Sequence, residues 1–182
     1  MKNMMSSLLA GSLIMAGTAG AAHAALTPDG THVFTGNLIL EKNLPVPSSC
    51  SVPLTLTVVG GVATAAPPPP PLTGSGIGCP FISFGAGPYN VTQGPASGGV
   101  AQLTVEDLDV YIDEIPGYTG EDACSGSLTG TLVITGSGNY LTFSTPTSSI
   151  DDALPDGNYN TSTLKKCLID GVLTNSTLTG VS

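Results

Sequence analysis

Two stretches of the chain share one layout, and this repetition constrains the fold more than any other feature of the sequence. The first, Cys50–Ala66, reads CSVPLTLTVVGGVATAA, and the second, Cys124–Ser144, reads CSGSLTGTLVITGSGNYLTFS. Each begins with Cys-Ser, alternates apolar residues with threonine, and reaches a glycine turn before it continues as strand-like sequence. Alternation with a period of two is typical of a half-buried β-strand, and glycines between two such runs are typical of a hairpin. The chain therefore contains a similar hairpin unit twice.

The alternation also predicts which side chains point into the core. The apolar positions of the first unit share the parity of Cys50, and those of the second share the parity of Cys124, so both cysteines should face inward. The predicted inward residues are Val52, Leu54, Leu56, Val58, Leu128, Leu132 and Ile134.

Further strands are expected between and around the two units. The chain has 24 glycines and 15 prolines, which argues against long helices. These features predict an all-β fold: an antiparallel β-sandwich, or a sandwich-like barrel, of two similar hairpin-containing halves in a single domain spanning 25–182. The additional predicted strands are Thr31–Leu40, Phe81–Phe84, Tyr89–Thr92, Val100–Ile112 and Leu168–Thr179.

The N-terminus has the form of a secretory signal. Lys2 gives it a basic start, Leu8–Ala22 is small and apolar, and Ala22-His23-Ala24 resembles a signal-peptidase site. The apolar run is shorter than the roughly 20 residues that span a bilayer, and no later segment is apolar enough to do so. We expect residues 1–24 to be cleaved and the rest to be secreted into the periplasm, the cell surface or the medium.

Four cysteines in an exported chain favour two disulfide bonds. Four cysteines allow three pairings, and the repeated layout favours Cys50–Cys79 with Cys124–Cys167. A zinc site is disfavoured because no C-x-x-C motif occurs.

The charge balance excludes several classes of partner. The chain has 13 acidic residues against 4 basic ones, a net charge of −9, and no arginine. Nucleic-acid binding depends on basic side chains, so we predict no nucleic-acid partner. We also predict no cofactor and no catalytic residues, because no G-x-S-x-G motif exists and His32, the one histidine after residue 24, is expected at a surface or strand edge.

The segment Val105–Ile115, VEDLDVYIDEI, is the most suggestive polar feature. A regular strand would place Asp107, Asp109 and Asp113 on one face and the apolar residues of the segment on the other. Carboxylates in a row could bind calcium, although the spacing is not that of a calcium loop. The other interpretation is a hydrated strand face that keeps an apolar protein soluble.

Two smaller features carry weaker predictions. Pro67–Pro71 should form an extended stiff segment inside the first disulfide loop, either as a spacer or as a docking surface for a partner. Asn90, Asn160 and Asn175 each begin an N-x-S/T triplet, which favours exposure at the surface.

Several of these features occur together in one known family. The signal, the strand FTGNLILEKNLPVPSSCS at Phe34–Ser51, the threonine-rich strands, the four cysteines and the tail CLIDGVLTNSTLTG resemble the bacterial activators of alkane oxidation, the PraB-like proteins. The resemblance implies a small secreted β-rich protein that promotes growth on long alkanes and is associated with the biofilm matrix. It assigns no role to individual residues.

Two functions remain open at this point. A non-enzymatic, surface-active protein would adsorb at a hydrocarbon or oil–water interface, or bind other matrix components, while its carboxylates stay hydrated. Alternatively, the chain is a structural surface, fimbrial-type or matrix subunit that polymerises by β-strand pairing. Phe34-Thr35-Gly36 followed by Cys50 is similar to the start of chaperone-assembled pilins.

Overall fold

The computed structural model describes residues 24–41, 47–117, 121–143, 153–154 and 167–181. Apart from Ala24, the predicted signal peptide lies outside these residues.

The described chain is built from β-strands, as the period-two alternation predicts. A single turn of 3-10 helix at Cys79–Phe81 follows β5. The strands are β1 (Leu26–Thr27), β2 (Gly30–Glu41), β3 (Ser48–Val59), β4 (Val62–Ala66), β5 (Thr73–Gly74), β6 (Ile82–Phe84), β7 (Tyr89–Gln93), β8 (Val100–Ile112), β9 (Asp122–Thr135), β10 (Gly138–Phe143), β11 (Ala153–Leu154), β12 (Cys167–Asn175) and β13 (Gly180–Val181).

Eight of these strands close into an antiparallel barrel. Going around the wall, β2, β3, β4, β7, β8, β9, β10 and β12 each pair with the next, and β12 pairs with both β10 and β2 to complete the circle. The order around the barrel is the order along the chain, which makes it an up-and-down barrel. The all-β prediction is confirmed, but the arrangement is not a sandwich of two halves. The repeated hairpins β3–β4 and β9–β10 are parts of one continuous wall, because closure leaves every long strand paired on both sides.

The predicted hairpin turns occur where the glycines stand. Val59 pairs with Val62 around Gly60 and Gly61, whose φ angles of 60° and 81° suit the tight turns that glycine favours. In the second unit, Thr135 pairs with Gly138.

The lumen of the barrel is the core of the protein. All the predicted inward residues are buried except Ile134, which is half-buried and packs against the core. Cys50 and Cys124 are buried as well, as their parity predicts.

Both disulfides lie near the same end of the barrel, which we call the disulfide end. Cys50 bonds to Cys79 with their Cα atoms 5.4 Å apart, and Cys124 bonds to Cys167 with a Cα distance of 6.1 Å. This is the pairing that the repeated layout favoured. Each bond ties one hairpin unit to a segment downstream of it.

The opposite end of the barrel is closed by the two ends of the described chain, and we call it the plugged end. β1 pairs with β13, and the buried side chains of Leu26 and Leu178 fill the opening between them. Leu26 N–H also donates to the carbonyl of Gly61 at 3.1 Å, which ties the plug to the β3–β4 turn.

A buried polar layer holds the plug in place. The Asn175 side chain accepts N–H bonds from Thr177 and Leu178, each at 2.8 Å, and donates to the carbonyl of Val33 at 2.8 Å. Asn175 was expected at the surface because of its N-x-S/T triplet, and this expectation is wrong. Its carboxamide is needed to satisfy backbone groups that the plug buries.

His32 belongs to the same layer. It is only 3% exposed, so the expectation of a surface or edge position is wrong. Its Nδ1 lies 2.9 Å from the hydroxyl of Thr177 and its Nε2 lies 2.8 Å from the carbonyl of Pro28. The imidazole therefore bridges the two segments that form the plug.

The proline run differs from the expected straight segment. The chain bends at Pro70 and Pro71, and Pro68 turns inward and is buried at the disulfide end. Three prolines, Pro69–Pro71, remain exposed.

Candidate functional site

Strand β8 carries the acidic segment and contains a β-bulge. Val105 pairs with Leu128 and Leu108 pairs with Gly126, so Glu106 and Asp107 together face a single residue of β9. Asp107 has a φ of 52°, in the left-handed region that few residues other than glycine, asparagine and aspartate adopt.

The bulge places the acidic side chains on the outer surface. Leu108, Val110 and Ile112 are buried as predicted, whereas Asp107 and Asp113 are exposed and Asp109 is half-buried. Among the described residues, no group of three or more His, Cys, Asp or Glu is close enough to hold a metal ion. Asp107, Asp109 and Asp113 form no such group, and calcium binding along β8 stays a prediction.

Glu106 is the most strongly tethered of these carboxylates. It accepts hydrogen bonds from the hydroxyls of Ser127 on β9 and Thr92 on β7, the latter at 2.7 Å. The bond from Ser127, followed by that from Thr92, lowers the pKa of Glu106 below its usual value. Sequence reasoning missed this arrangement, because its donors come from two other strands.

The outer surface of β10, β12 and β2 mixes large apolar side chains with threonines, an asparagine and two carboxylates, and we call it the apolar wall. Its large exposed side chains are Val33, Ile39, Tyr140 and Val172, of which Val172 is 42% exposed. Val172 pairs with Asn37 on one side and Thr142 on the other, so its cross-strand neighbours are uncharged. The outward-facing carboxylates of these strands are Glu41 and Asp170.

The apolar wall is separated from the acidic strand around the barrel. By the shorter way around the eight-stranded wall, β2 is four strands from β8, β12 is three and β10 is two. The described residues include no lysine or arginine, so the acidic side has no basic partners there. The acidic segment of β8 and the apolar wall are therefore separate parts of the outer surface.

The β3–β4 hairpin adds a second exposed apolar feature, at the plugged end. Val59 and Val62 flank the turn and are 71% and 65% exposed. Asp29 stabilises the turn, because its carboxylate accepts hydrogen bonds from the N–H of Gly60 at 3.0 Å and from that of Gly61 at 3.4 Å.

The lumen contains an apolar cavity toward the disulfide end. Its volume is about 40 Å³, and its lining includes Leu38, Val52, Pro68, Tyr89 and Phe143. The Tyr89 hydroxyl donates to the carbonyl of Gly85 at 2.8 Å, so it presents no free polar atom to the cavity. Burial raises the pKa of Tyr89, and the nearby Asp109 carboxylate raises it further.

One comparison with known proteins identifies the family. A family model described as alkane oxidation protein activator, PraA/PraB-like, matches residues 1–181. The chain belongs to the PraA/PraB-like family. No curated protein and no solved structure matches it.

Membership of the PraA/PraB-like family confirms the resemblance seen in the sequence. The match covers both hairpin units, all four cysteines and the acidic strand, so these belong to the family domain. The family description indicates an accessory protein of alkane oxidation. None of the helices among the described residues has the length and apolar character needed to cross a membrane.

Proposed function

We propose that this PraA/PraB-like protein is an exported, non-enzymatic accessory protein that acts at the boundary between hydrocarbon and water. The apolar wall lies against the hydrocarbon, and the acidic strand faces the water. The observation that carries this proposal is the separation of the two surfaces around one closed barrel.

The energetics of the two faces support this orientation. Exposed apolar area gains roughly 25 cal/mol per Å² when it leaves water, so Val33, Ile39, Tyr140 and Val172 favour contact with oil. An ionised carboxylate is very costly to remove from water, so the β8 carboxylates oppose immersion of their side. Together these effects hold the barrel at the interface with one preferred face toward the oil.

Export is part of the proposal. Disulfides persist in oxidising compartments, and this structure contains two of them, each with its sulfurs buried near one end of the barrel. A secretory signal at 1–24 would deliver the chain to such a compartment. The barrel then meets hydrocarbon, or the matrix around the cell, before the hydrocarbon is oxidised.

The test is the tension of a hexadecane–water interface, measured by pendant drop with the purified protein. The wild-type protein is expected to lower the tension. The double variant Val33→Lys/Val172→Lys puts two charges on the apolar wall and should need a severalfold higher concentration for the same effect.

The matched control is Thr57→Lys/Gln102→Lys, which adds the same charge at exposed positions of β3 and β8. It should behave as the wild type does, after a small correction for net charge. Equal losses in the two double variants, or no effect of the wild-type protein on the tension, would contradict the proposal.

Barrel closure argues against the alternative of a subunit that polymerises by strand pairing. Such pairing needs a long unpaired edge, and each of the eight barrel strands has a neighbour on both sides. The strands outside the barrel wall, β1, β5, β6, β11 and β13, are two or three residues long. Size-exclusion chromatography and electron microscopy of the mature protein distinguish a monomer from a filament.

A further inference from the structure

We propose that the lumen at the disulfide end binds one end of an unbranched alkyl chain. The choice of ligand rests on the proposed function, whereas the site itself is separate from the apolar wall. An eight-stranded barrel is just wide enough to be filled by its side chains or to hold one small ligand. Here the filling is incomplete, and a cavity of about 40 Å³ remains.

The chemistry of the lining favours a hydrocarbon over water. The cavity is surrounded by aliphatic and aromatic side chains, among them Leu38, Leu128 and Leu173. A buried water needs two to four polar partners, and the one hydroxyl in the lining, on Tyr89, is already bonded to Gly85. An alkyl chain needs no such partner and gains from every apolar contact.

A second cavity gives the site an elongated shape. It measures about 20 Å³, is lined by Ile82, Val110 and Ile112, and shares Leu40, Phe84 and Ile169 with the first cavity. Phe84 lies on the three-residue strand β6 and is only half-buried. Movement of Phe84, one of the three side chains that line both cavities, would widen the connection into a narrow channel, a shape that suits a linear chain rather than a branched or cyclic hydrocarbon.

The channel predicts a dependence on chain length. Each additional buried methylene should tighten binding about fourfold, and the gain should stop when the chain outgrows the lumen. Adsorption to the outside of the barrel would have no such limit.

The experiment is methyl NMR of the full mature protein titrated with hexane, octane and decane supplied through the vapour. Octane should shift the methyl signals of the lumen residues Leu38, Leu128 and Leu173 and leave those of Val33 and Val172 unchanged. Shifts confined to the outer valines would overturn the proposal.

Two lumen variants and one control sharpen the test. Val105→Phe fills the cavity and should weaken octane binding at least tenfold, whereas Val100→Phe, the same change at an exposed position of the same strand, should leave it unaltered. Phe84→Ala enlarges the channel and should tighten octane binding severalfold. If Val105→Phe does not fold, Phe84→Ala decides: affinity that is unchanged or weaker overturns the proposal.

The outcome is independent of the interfacial test. If Val105→Phe folds and binds octane as tightly as the wild type does, the lumen site is wrong, while the pendant-drop result still stands. Conversely, if the wild-type protein binds octane in the lumen but leaves the interfacial tension unchanged, the lumen site is supported and the interfacial function is contradicted.

Discussion

Val105 and Leu108 are three residues apart on β8, and both side chains point into the lumen. In a regular strand, residues three apart lie on opposite faces. The bulge at Glu106 and Asp107 shifts the phase by one residue, so the odd-numbered positions face inward before it and the even-numbered positions face inward after it. The same shift puts Asp107 and Asp109 outside and keeps the lumen apolar along the whole strand.

The bulge predicts how substitutions at Asp107 affect stability. Its φ of 52° is easy for glycine, tolerable for aspartate and costly for a β-branched residue. Asp107→Gly should therefore keep or raise the free energy of unfolding, and Asp107→Val should lower it by about 1–3 kcal/mol. Urea denaturation at neutral pH measures both. Equal stabilities for the two variants would show that residue 107 is not in the left-handed region.

Glu106 should make stability depend on pH. Its pKa is lower in the folded protein because Ser127, and then Thr92, donate to its ionised form. The resulting stabilisation is present above the ordinary pKa of about 4.5 and is lost as the pH falls through the lower folded-state value. In Glu106→Gln, the urea midpoint of unfolding should vary less between pH 5 and pH 3 than it does in the wild type.

The donors provide the control for this prediction. Ser127→Ala keeps the carboxylate but removes the larger cause of the shift, so its pH dependence should lie between those of the wild type and Glu106→Gln. A Ser127→Ala profile identical to that of the wild type would contradict the assignment.

The plug predicts a large cost for Asn175→Ala. This substitution removes the hydrogen-bond acceptor of the buried Leu178 N–H and of the part-buried Thr177 N–H, and it removes the donor to the part-buried carbonyl of Val33. We expect a loss of about 2–4 kcal/mol in the free energy of unfolding. Asn90→Ala, at an exposed position of β7, should change it by less than about 0.5 kcal/mol. A cost for Asn175→Ala as small as that of the control would show that the plug does not depend on this side chain.

The disulfides predict a stability loss related to loop length. The Cys124–Cys167 bond spans 43 residues and the Cys50–Cys79 bond spans 29. In the chain-entropy model, replacing either pair by serine costs about 3.5–4 kcal/mol, with the longer loop slightly more costly. Thermal and urea unfolding of the two double serine variants tests this. Peptide mapping without reduction checks the pairing, and any cross-linked pair other than these two would contradict it.

Much of the fold could be predicted because its local signals are strong. The alternation in Val52–Val58 and the Gly60-Gly61 turn predicted a hairpin with the correct inward face, and the repeated layout led to the observed cysteine pairing. The predicted strand Val100–Ile112 has the bounds of β8. The bulge within it escaped prediction because a one-residue phase shift is visible only against the register of β9.

The candidate surfaces were less predictable. The acidic segment was evident because its carboxylates are consecutive along one strand. The apolar wall was not, because Val33, Tyr140 and Val172 come from three strands that are far apart in the chain.

The amino-acid order alone established that this chain makes amphipathic strands. It also indicated which face of most strands is apolar, where the hairpins turn and which cysteines pair. Period-two patterning and turn chemistry are local properties, and they can be read residue by residue. The closed barrel, the burial of His32 and Asn175 in a plug, and the separation of the acidic and apolar surfaces arise only when β12 pairs with β2. Those features depend on contacts between residues more than a hundred positions apart, such as Asn175 and Val33, and no local pattern encodes them.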